Sequence, residues 1–157
     1  KMKTYNIVSI YKFKTIIESN SRLLGIDPGD KNIGFAICDE NKKVATPLKV
    51  LQKSKFEVLI EQINQIIKEN DIKGIIIGNP INMDGTSGKS SQSANDFAKN
   101  LSKNITIPVT MWDERLSSEA SFKITKELGT NTSNRVNKLD ENAAAFILQG
   151  AIDYLSN

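Results

Sequence analysis

Short apolar runs separated by turn residues dominate the first third of this chain. The run "LLGID" at 23–27 predicts a buried strand, "PGDKN" predicts a turn, and "IGFAICDE" predicts a second strand ending in polar residues. The segment "KKVATPLKVL" can supply a third strand. Because the connecting segments are short, the pattern indicates an antiparallel meander of three strands.

After residue 53 the apolar positions change period. In "SKFEVLIEQINQIIKEN" they recur every three or four residues, which predicts a helix. Ser54 and Glu57 are predicted to form a capping box at its start. The apolar run "GIIIGNP" predicts a strand covered on both faces, and "IPVTMWDE" predicts another strand. The polar segment "INMDGTSGKSSQS" between them predicts a loop, followed by a helix around Phe97 to Leu101.

The last third of the chain is predicted to be helical apart from one connection. "SSEASFKITKEL" predicts a helix, "GTNTSNRVNK" a long turn-rich loop, and "LDENAAAFILQGAIDYL" a final helix with one apolar face. Strands that alternate with helices favour parallel neighbours, so the meander should continue into a parallel half. The predicted fold class is α/β, with a mixed five-stranded sheet flanked by helices.

Length and composition set the domain organisation. The 157 residues suffice for one domain with its own core, which we expect over 22–157. Residues 1–21, whose apolar positions are interrupted by lysines, are expected to form a weakly structured or helical extension. The one cysteine, Cys38, lies in an apolar run, which predicts a small core residue and fits a reducing cytoplasm. No apolar stretch approaches the ~20 residues of a membrane helix.

The absence of histidine narrows the possible chemistry. It excludes Ser-His-Asp and Cys-His nucleophilic catalysis and His-ligated zinc, so any site must use Asp, Glu, Lys or Tyr. The net charge of +3 permits a polyanionic partner without requiring one. The segment "MDGTSGKS" lacks the first glycine of a phosphate-binding P-loop, since position 83 is methionine. It predicts instead a loop beside the site, from which Lys89 could contact substrate.

Acidic residues follow two predicted strands and begin the last predicted helix. Asp27 ends the first strand, Asp113 and Glu114 follow "IPVTMW", and Asp140 precedes three alanines that allow close packing on a sheet. Each acid has an ordinary explanation on its own, as a turn residue, a helix-start pair or a helix cap. Together they could converge at the carboxyl edge of the sheet, where open α/β sheets bind ligands.

Converging carboxylates would call for a cation. They raise one another's pKa unless a positive charge neutralises them, and hard divalent cations such as Mg²⁺ prefer oxygen ligands. Two ions roughly 4 Å apart can support in-line cleavage of a phosphodiester without histidine. If the acids meet, they therefore predict metal-dependent phosphodiester hydrolysis.

Four motifs in the expected order resemble the YqgF/RuvX family of the ribonuclease H-like superfamily. They are "GIDPGDKNIGFAI", "IIIGNPINMDGTSG", "DERLSSEA" and "KLDENAAAFILQ", and the resemblance covers about 23–155. The family is described as a Holliday junction resolvase and as the nuclease that matures the ends of precursor 16S ribosomal RNA. The resemblance implies a ribonuclease H-like fold and a cytoplasmic endonuclease that uses Mg²⁺ or Mn²⁺, with two ions expected. Its partners would be precursor rRNA or branched DNA and ribosomal particles, and the protein would be a monomer or homodimer.

The resemblance also implies roles for individual residues. Asp27 takes the place of the first-strand acid and Asp140 that of the final-helix acid. The "DER" carboxylate falls on Glu114, with Asp113 as the alternative. These three positions would be catalytic and would bind the metal ions.

Basic residues are the candidate substrate contacts. Arg115 of the "DER" motif looks like a phosphate contact, and Lys31, Lys89 and Arg135 could border a nucleic-acid groove. The chain departs from RuvC-type resolvases at Ala143, where those enzymes carry another acid, and this makes junction resolution the less secure activity.

Two other functions stay open at this point. One is a non-catalytic RNA- or ribosome-binding module that keeps the same fold. The other is an actin-like nucleotide-binding ATPase, whose first strand also has a "GID" sequence, although those proteins duplicate the domain and need a second phosphate loop.

Overall fold

A computed structural model of the protein describes residues 7–80, 88–114 and 132–156, with the backbone alone at residue 90 and over 132–142. In this part of the chain six strands form one sheet. The strands are β1 Ile7–Val8, β2 Arg22–Pro28, β3 Asn32–Cys38, β4 Ala45–Gln52, β5 Ile72–Asn79 and β6 Val109–Asp113. The helices are α1 Ile10–Ile16, α2 Phe56–Glu69, α3 Lys89–Ser102 and α4 Thr132–Leu155.

The sheet combines an antiparallel half with a parallel half, as the sequence predicts. Its strand order is β1-β6-β5-β2-β3-β4. The β2, β3 and β4 strands pair antiparallel as a meander, whereas β5 pairs parallel with both β2 and β6. The prediction of five strands was one short, because β1 adds a sixth strand parallel to β6.

The additional strand comes from the segment predicted to be an extension. Residues 7–17 form β1 and the short helix α1, whose Phe13 is fully buried. Phe13 packs on Gly74 of β5, where a Cβ atom would lie 2.7 Å from the phenyl ring. A fully buried side chain of this size stabilises a fold by roughly 1.5–3 kcal/mol, so this segment is part of the hydrophobic core.

Alternate residues of the central strands enter two separate hydrophobic clusters. We call the side covered by α2 and α3 the α2/α3 face, and the side covered by α1 and α4 the α4 face. The α2/α3 face includes Leu24, Ile26, Ile33, Phe35, Ile75 and Ile77, packed on Leu59, Ile63 and Leu101. The α4 face includes Leu23, Ala36, Ile76 and Trp112, packed on Phe13, Ala144, Ile147 and Leu148. The alternation follows from the two-residue repeat of a strand.

Several helix boundaries differ from the predicted ones. The α3 helix begins at Lys89, so Lys89 to Ser93 are helical and not part of the predicted loop. The α4 helix begins at Thr132, so residues 132–138 of the predicted loop belong to it. The predicted capping box is not formed, since α2 begins after Lys55 without a side-chain cap. The helix predicted over "SSEASFKITKEL" lies outside the described residues.

The prediction that Cys38 is a small core residue is confirmed. Cys38 is 2% exposed, and its Sγ accepts a hydrogen bond from the Leu23 amide at 3.3 Å. Burial raises the pKa of this thiol, which keeps it protonated. None of the helices in the described ranges has both the length and the apolar character required to cross a membrane.

Candidate active site

The parallel strands bring several polar side chains to one edge of the sheet. Asp27 is the penultimate residue of β2 and pairs with Gly34 of β3. Asn79 ends β5 and stands in register with Asp113 at the end of β6, directly before Glu114. Because β2, β5 and β6 run in the same direction, these residues share the carboxyl edge.

The two adjacent acids at the end of β6, Asp113 and Glu114, lie on opposite faces of the sheet. Met111 packs in the α2/α3 cluster and Trp112 in the α4 cluster, so strand alternation places Asp113 on the α2/α3 face. Glu114 falls on the α4 face, where a Cβ atom built on Gly78 would lie 3.5 Å from its Cδ. Asp27 follows Leu23 and Gly25 by the same alternation and shares this face.

The electrostatics of Glu114 reflect this arrangement. Burial raises the pKa of its carboxyl group from 4.5 to about 7, and the negative charge of Asp27 contributes next, followed by that of Asp113. Strand alternation places Asp27 and Glu114 on the α4 face at the carboxyl edge, and the charge effect of Asp27 agrees with that placement. Asp27 and Glu114, predicted from separate strands, are therefore neighbours at the edge.

The backbone of α4 brings Asp140 toward the same edge. Ala144 and Leu148 both contact the sheet at Gly25, where a Cβ atom would lie 3.1 Å from the Ala144 carbonyl oxygen. Gln149 binds the backbone at Ala45, the opposite end of the sheet, so α4 runs away from the carboxyl edge. Asp140 is one turn before Ala144, roughly 6 Å along the axis, which brings its backbone to about the level of Asp27.

The carboxylate pair has the donor chemistry of a hard-cation site. Carboxylate oxygens suit Mg²⁺ or Mn²⁺, and a bound cation would offset the repulsion that, after burial, contributes to the raised pKa of Glu114. Among the described side chains, which do not include that of Asp140, no group of three metal-ligating residues comes together. The chemistry of Asp27 and Glu114 thus fits a divalent cation, and their role as ligands stays a prediction.

Of the four predicted substrate contacts, Lys31 and Lys89 are the ones whose side chains the structure describes. Lys31 is exposed, and its carbonyl oxygen accepts a hydrogen bond from the Lys53 amide at 2.8 Å. It borders an open cavity of about 190 Å³ that reaches Asp27. Lys89, the first residue of α3, approaches the edge on the α2/α3 face. Arg135 is in the first two turns of α4, and Arg115 lies outside the described residues.

Two residues of the edge were given no role in the sequence analysis. Asn79 accepts a 2.7 Å hydrogen bond from the fully buried hydroxyl of Ser91, which fixes the start of α3 to the end of β5. Gly78 leaves space for Ile147 and for the Glu114 carboxyl group. Their only sequence signal is that "GN" directly follows the apolar run of β5.

Comparison with known proteins gives matches over most of the chain. A family model described as RuvX, Holliday junction resolvase, matches residues 21–154. A protein of Pelagibacter ubique named "Putative pre-16S rRNA nuclease" is 50% identical over 151 residues, covering 96% of this chain and all of that protein. A Ruegeria pomeroyi protein of the same name is 41% identical over 149 residues, covering 95% and 97% of the two chains.

Solved structures with a similar fold come from Holliday junction resolvases. Thermus thermophilus RuvC, in complex with a Holliday junction, superposes with a TM-score of 0.52 at 13% identity and covers 87% of this chain and 96% of that one. The yeast mitochondrial Holliday junction resolvase gives a TM-score of 0.51 at 12% identity, with 94% and 84% coverage. At these identities the similarity establishes a ribonuclease H-like fold of the RuvC type.

Proposed function

Because the chain belongs to the RuvX family, we propose that it is a metal-dependent endonuclease that hydrolyses phosphodiesters in structured nucleic acid. The first substrate to test is precursor 16S ribosomal RNA, since the relatives at 50% and 41% identity are named for it. The protein would bind this RNA in the cytoplasm, as part of a ribosomal particle. Branched DNA is the second, because the family model is described by Holliday junction resolution.

One observation carries the proposal. Asp27 and Glu114 come from different strands yet share the α4 face at the carboxyl edge, where burial and then the charge of Asp27 raise the pKa of Glu114. A divalent cation bound by both carboxylates would favour the ionised form of Glu114 and offset the repulsion between the two groups.

The roles follow from position. Asp27, Glu114 and Asp140 would hold Mg²⁺ or Mn²⁺, and we expect two ions. When bound, the cation supplies Lewis-acid stabilisation of the charge that develops on the phosphate oxygens. Asp27 and Glu114 orient it from the ends of two strands, which are rigid elements suited to precise placement. Ionisation of Glu114 is required for it to act as a ligand, so binding should strengthen as pH rises through about 7.

Lysines and arginines would hold the substrate. Lys31 lines the cavity that reaches Asp27, and Lys89 begins α3, so both are candidates to neutralise phosphates that flank the reacting group. Arg115 and Arg135 would add further phosphate contacts. These residues set affinity and register, whereas the acids set the rate.

Cleavage assays test the proposal directly. A precursor 16S rRNA fragment and a four-way DNA junction are each incubated with the protein in Mg²⁺, in Mn²⁺ and in EDTA. We expect cleavage of at least one substrate that requires the metal and that is lost in Asp27→Asn, with the variant still folded. Metal-independent cleavage, or full activity of Asp27→Asn, would overturn the assignment; binding without cleavage would favour the non-catalytic module.

A further inference from the structure

A cavity of about 190 Å³ opens beside Asp27 at the carboxyl edge of the sheet. We call it the Asp27 cavity. Sites for drug-sized ligands measure ~300–1,000 Å³, so this cavity has room for a fragment such as one sugar or one base. Its lining includes residues of three strands and of the turn between β2 and β3, namely Asp27, Asp30, Lys31, Asn32, Gly34 and Val50.

The residues that the sheet contributes to the Asp27 cavity form a row across three strands. Asp27 of β2 is paired with Gly34 of β3, and Gly34 is paired with Val50 of β4. Paired residues of neighbouring strands point to the same side of the sheet, so Asp27 and Val50 flank Gly34 on the α4 face. Because Gly34 has no side chain, a gap is left between the side chains on either side of it.

The turn between β2 and β3 is held in place by its backbone. The Gly29 amide donates a 3.1 Å hydrogen bond to the Asp27 carbonyl oxygen, and the Lys53 amide donates one of 2.8 Å to the Lys31 carbonyl oxygen. A Cβ atom at Gly29 would lie 2.5 Å from the Asn32 carbonyl oxygen, so this path of the chain requires glycine. The Asp27 cavity is therefore formed before a ligand arrives, which reduces the entropy cost of binding.

Three polar side chains of the turn and the start of β3 are available to a ligand. Asp30, Lys31 and Asn32 are exposed, and their side chains make no hydrogen bond or ion pair with the part of the chain that the structure describes. The Asn32 amide group both donates and accepts hydrogen bonds, whereas the Asp30 carboxylate only accepts them. A hydroxyl group also donates and accepts, so it can pair with either side chain.

The charge of the lining favours a neutral group over a second phosphate. Once a cation is bound at Asp27, the charges that remain in the lining are those of Asp30 and Lys31, which offset each other. The interior thus has no excess positive charge to attract a phosphate, whereas a hydroxyl group can donate to a carboxylate. Val50, which is 39% exposed, adds an apolar side suited to the C–H groups of a sugar ring.

The position of the Asp27 cavity indicates which part of the substrate it would hold. Under the proposed function, a cation at Asp27 binds the reacting phosphate, and the group attached directly to a phosphate in a nucleic acid is a sugar. We propose that the Asp27 cavity binds the ribose next to the reacting phosphate and that Asn32, together with Asp30, pairs with its 2′-hydroxyl group. Asn32 is then a residue that selects RNA over DNA, because the 2′-hydroxyl is the group that DNA lacks.

This inference rests on the proposed function for the identity of the neighbouring phosphate, but the preference for ribose is measurable without cleavage. A mononucleotide contains no phosphodiester that the protein could hydrolyse. We therefore titrate ¹⁵N-labelled protein in Mg²⁺ with uridine 3′,5′-bisphosphate and with its 2′-deoxy counterpart. The NMR shifts of the Lys31, Asn32 and Gly34 amides report binding in the Asp27 cavity.

The wild-type protein should bind the ribonucleotide about three- to tenfold more tightly than the deoxyribonucleotide, as one net hydrogen bond gives. Asn32→Ala should reduce this ratio to below about twofold, because the amide group that pairs with the 2′-hydroxyl is removed. The matched control is Asn64→Ala, at an exposed asparagine of α2 on the other face of the sheet, and it should keep the wild-type ratio.

Two further variants test whether the nucleotide occupies the Asp27 cavity. Gly34→Ala adds a methyl group to the gap beside Asp27 and should weaken binding of both nucleotides by about threefold or more. Val50→Phe narrows the cavity from the exposed edge strand and gives a second measurement if Gly34→Ala destabilises the protein.

Equal affinity for the two nucleotides in the wild type would overturn the proposal. An unchanged ratio in Asn32→Ala would do so too, as would wild-type binding in both narrowed variants. If the ribose preference depends on Asn32 but neither precursor rRNA nor the DNA junction is cleaved, the Asp27 cavity stands and only the nuclease assignment fails. Metal-dependent cleavage without any ribose preference would leave the nuclease assignment intact and overturn this inference alone.

Discussion

The two faces of the sheet are built from alternate residues of the same strands, yet helices approach them differently. On the α2/α3 face the central strands present large, fully buried side chains, namely Leu24, Ile26, Ile75 and Ile77. On the α4 face the same two strands present Gly25 and Gly78, and α4 comes close enough that a Cβ atom on either glycine would collide with it. The α4 face also holds the fully buried Leu23 and Ile76, so the two faces differ at the two glycines, where α4 contacts the strands most closely.

This difference separates stability from chemistry. The α2/α3 face removes apolar area from water and can tolerate small changes of shape, because several side chains share each contact. The α4 face carries the carboxylates Asp27 and Glu114, and the close approach of α4 fixes how far Asp140 lies from them. Substitutions on the α2/α3 face should therefore affect stability alone, whereas substitutions on the α4 face should also affect activity.

The largest difference is expected between the neighbouring acids Asp113 and Glu114. Glu114→Gln removes a charge from the α4 face and should lower metal-dependent cleavage by roughly a thousandfold, about 4 kcal/mol. Asp113→Asn changes the neighbouring acid on the α2/α3 face and should retain activity within about tenfold. Both variants are compared with the wild type by kcat/KM in Mg²⁺, with single-turnover kinetics as a check. Equal losses of kcat/KM in the two variants would show that the face of the sheet does not decide which acid serves as the metal ligand.

A methyl group at Gly25 should affect both stability and activity. Gly25→Ala places a Cβ atom 2.8 Å from the Leu148 Cβ, and α4 must move to relieve the contact. We expect a loss of about 1–3 kcal/mol in the free energy of unfolding, with reduced cleavage below the melting transition because Asp140 moves with α4. The measurements are urea denaturation and cleavage at the same temperature.

Ile75→Val is the matched change on the α2/α3 face. Ile75 is fully buried, so removing one methyl group should cost about 0.5–1.5 kcal/mol while leaving kcat/KM unchanged. Activity that falls in proportion to stability in both variants would contradict a special role for the close contact at Gly25.

The smallest expected effect is a pH dependence of stability in the metal-free protein. The pKa of Glu114, ordinarily 4.5, is about 7 in the folded chain, so the folded state holds this proton more tightly than the unfolded state. Its contribution to stability is full below pH 4.5 and is lost as pH rises through about 7. After allowance for solvent screening, we expect a decline of about 1 kcal/mol that is absent in Glu114→Gln.

Denaturation in EDTA at several pH values between 4.5 and 7.5 measures this decline. Added Mg²⁺ should restore stability mainly at the upper end of that range, where the carboxylate is ionised and can bind it. An identical pH profile in wild type and Glu114→Gln would contradict the raised pKa.

Much of the fold was predictable because local patterns agree with the final structure. The apolar face of α2 and the wholly apolar run of β5 each identify an element and its buried side. Boundaries were less predictable. The two residues of β1 are too few for a period, and residues 132–138 have the polar composition of a loop although α4 includes them.

The candidate site was also predictable only in part. Asp27, Glu114 and Asp140 could be selected as a set from their places after strands and before a helix, and from motif resemblance. The choice between Asp113 and Glu114 could not be made from composition, because adjacent acids of similar chemistry differ only in the face they occupy. Gly78 and Asn79 were visible in the sequence only as the "GN" after the apolar run of β5, and their roles could not be predicted because these depend on contacts with Ile147 and Ser91.

The sequence by itself determined the meander, the parallel half, the helical periods and the supply of carboxylates, because each depends on local spacing or residue type. The tertiary structure decided which carboxylates share a face, how closely α4 approaches the sheet, and that residues 7–17 join the core. Those outcomes depend on strand register and on contacts between residues far apart in the chain, such as Gly25 with Leu148 and Phe13 with Gly74. No local pattern encodes such contacts, because they form only when the elements pack together.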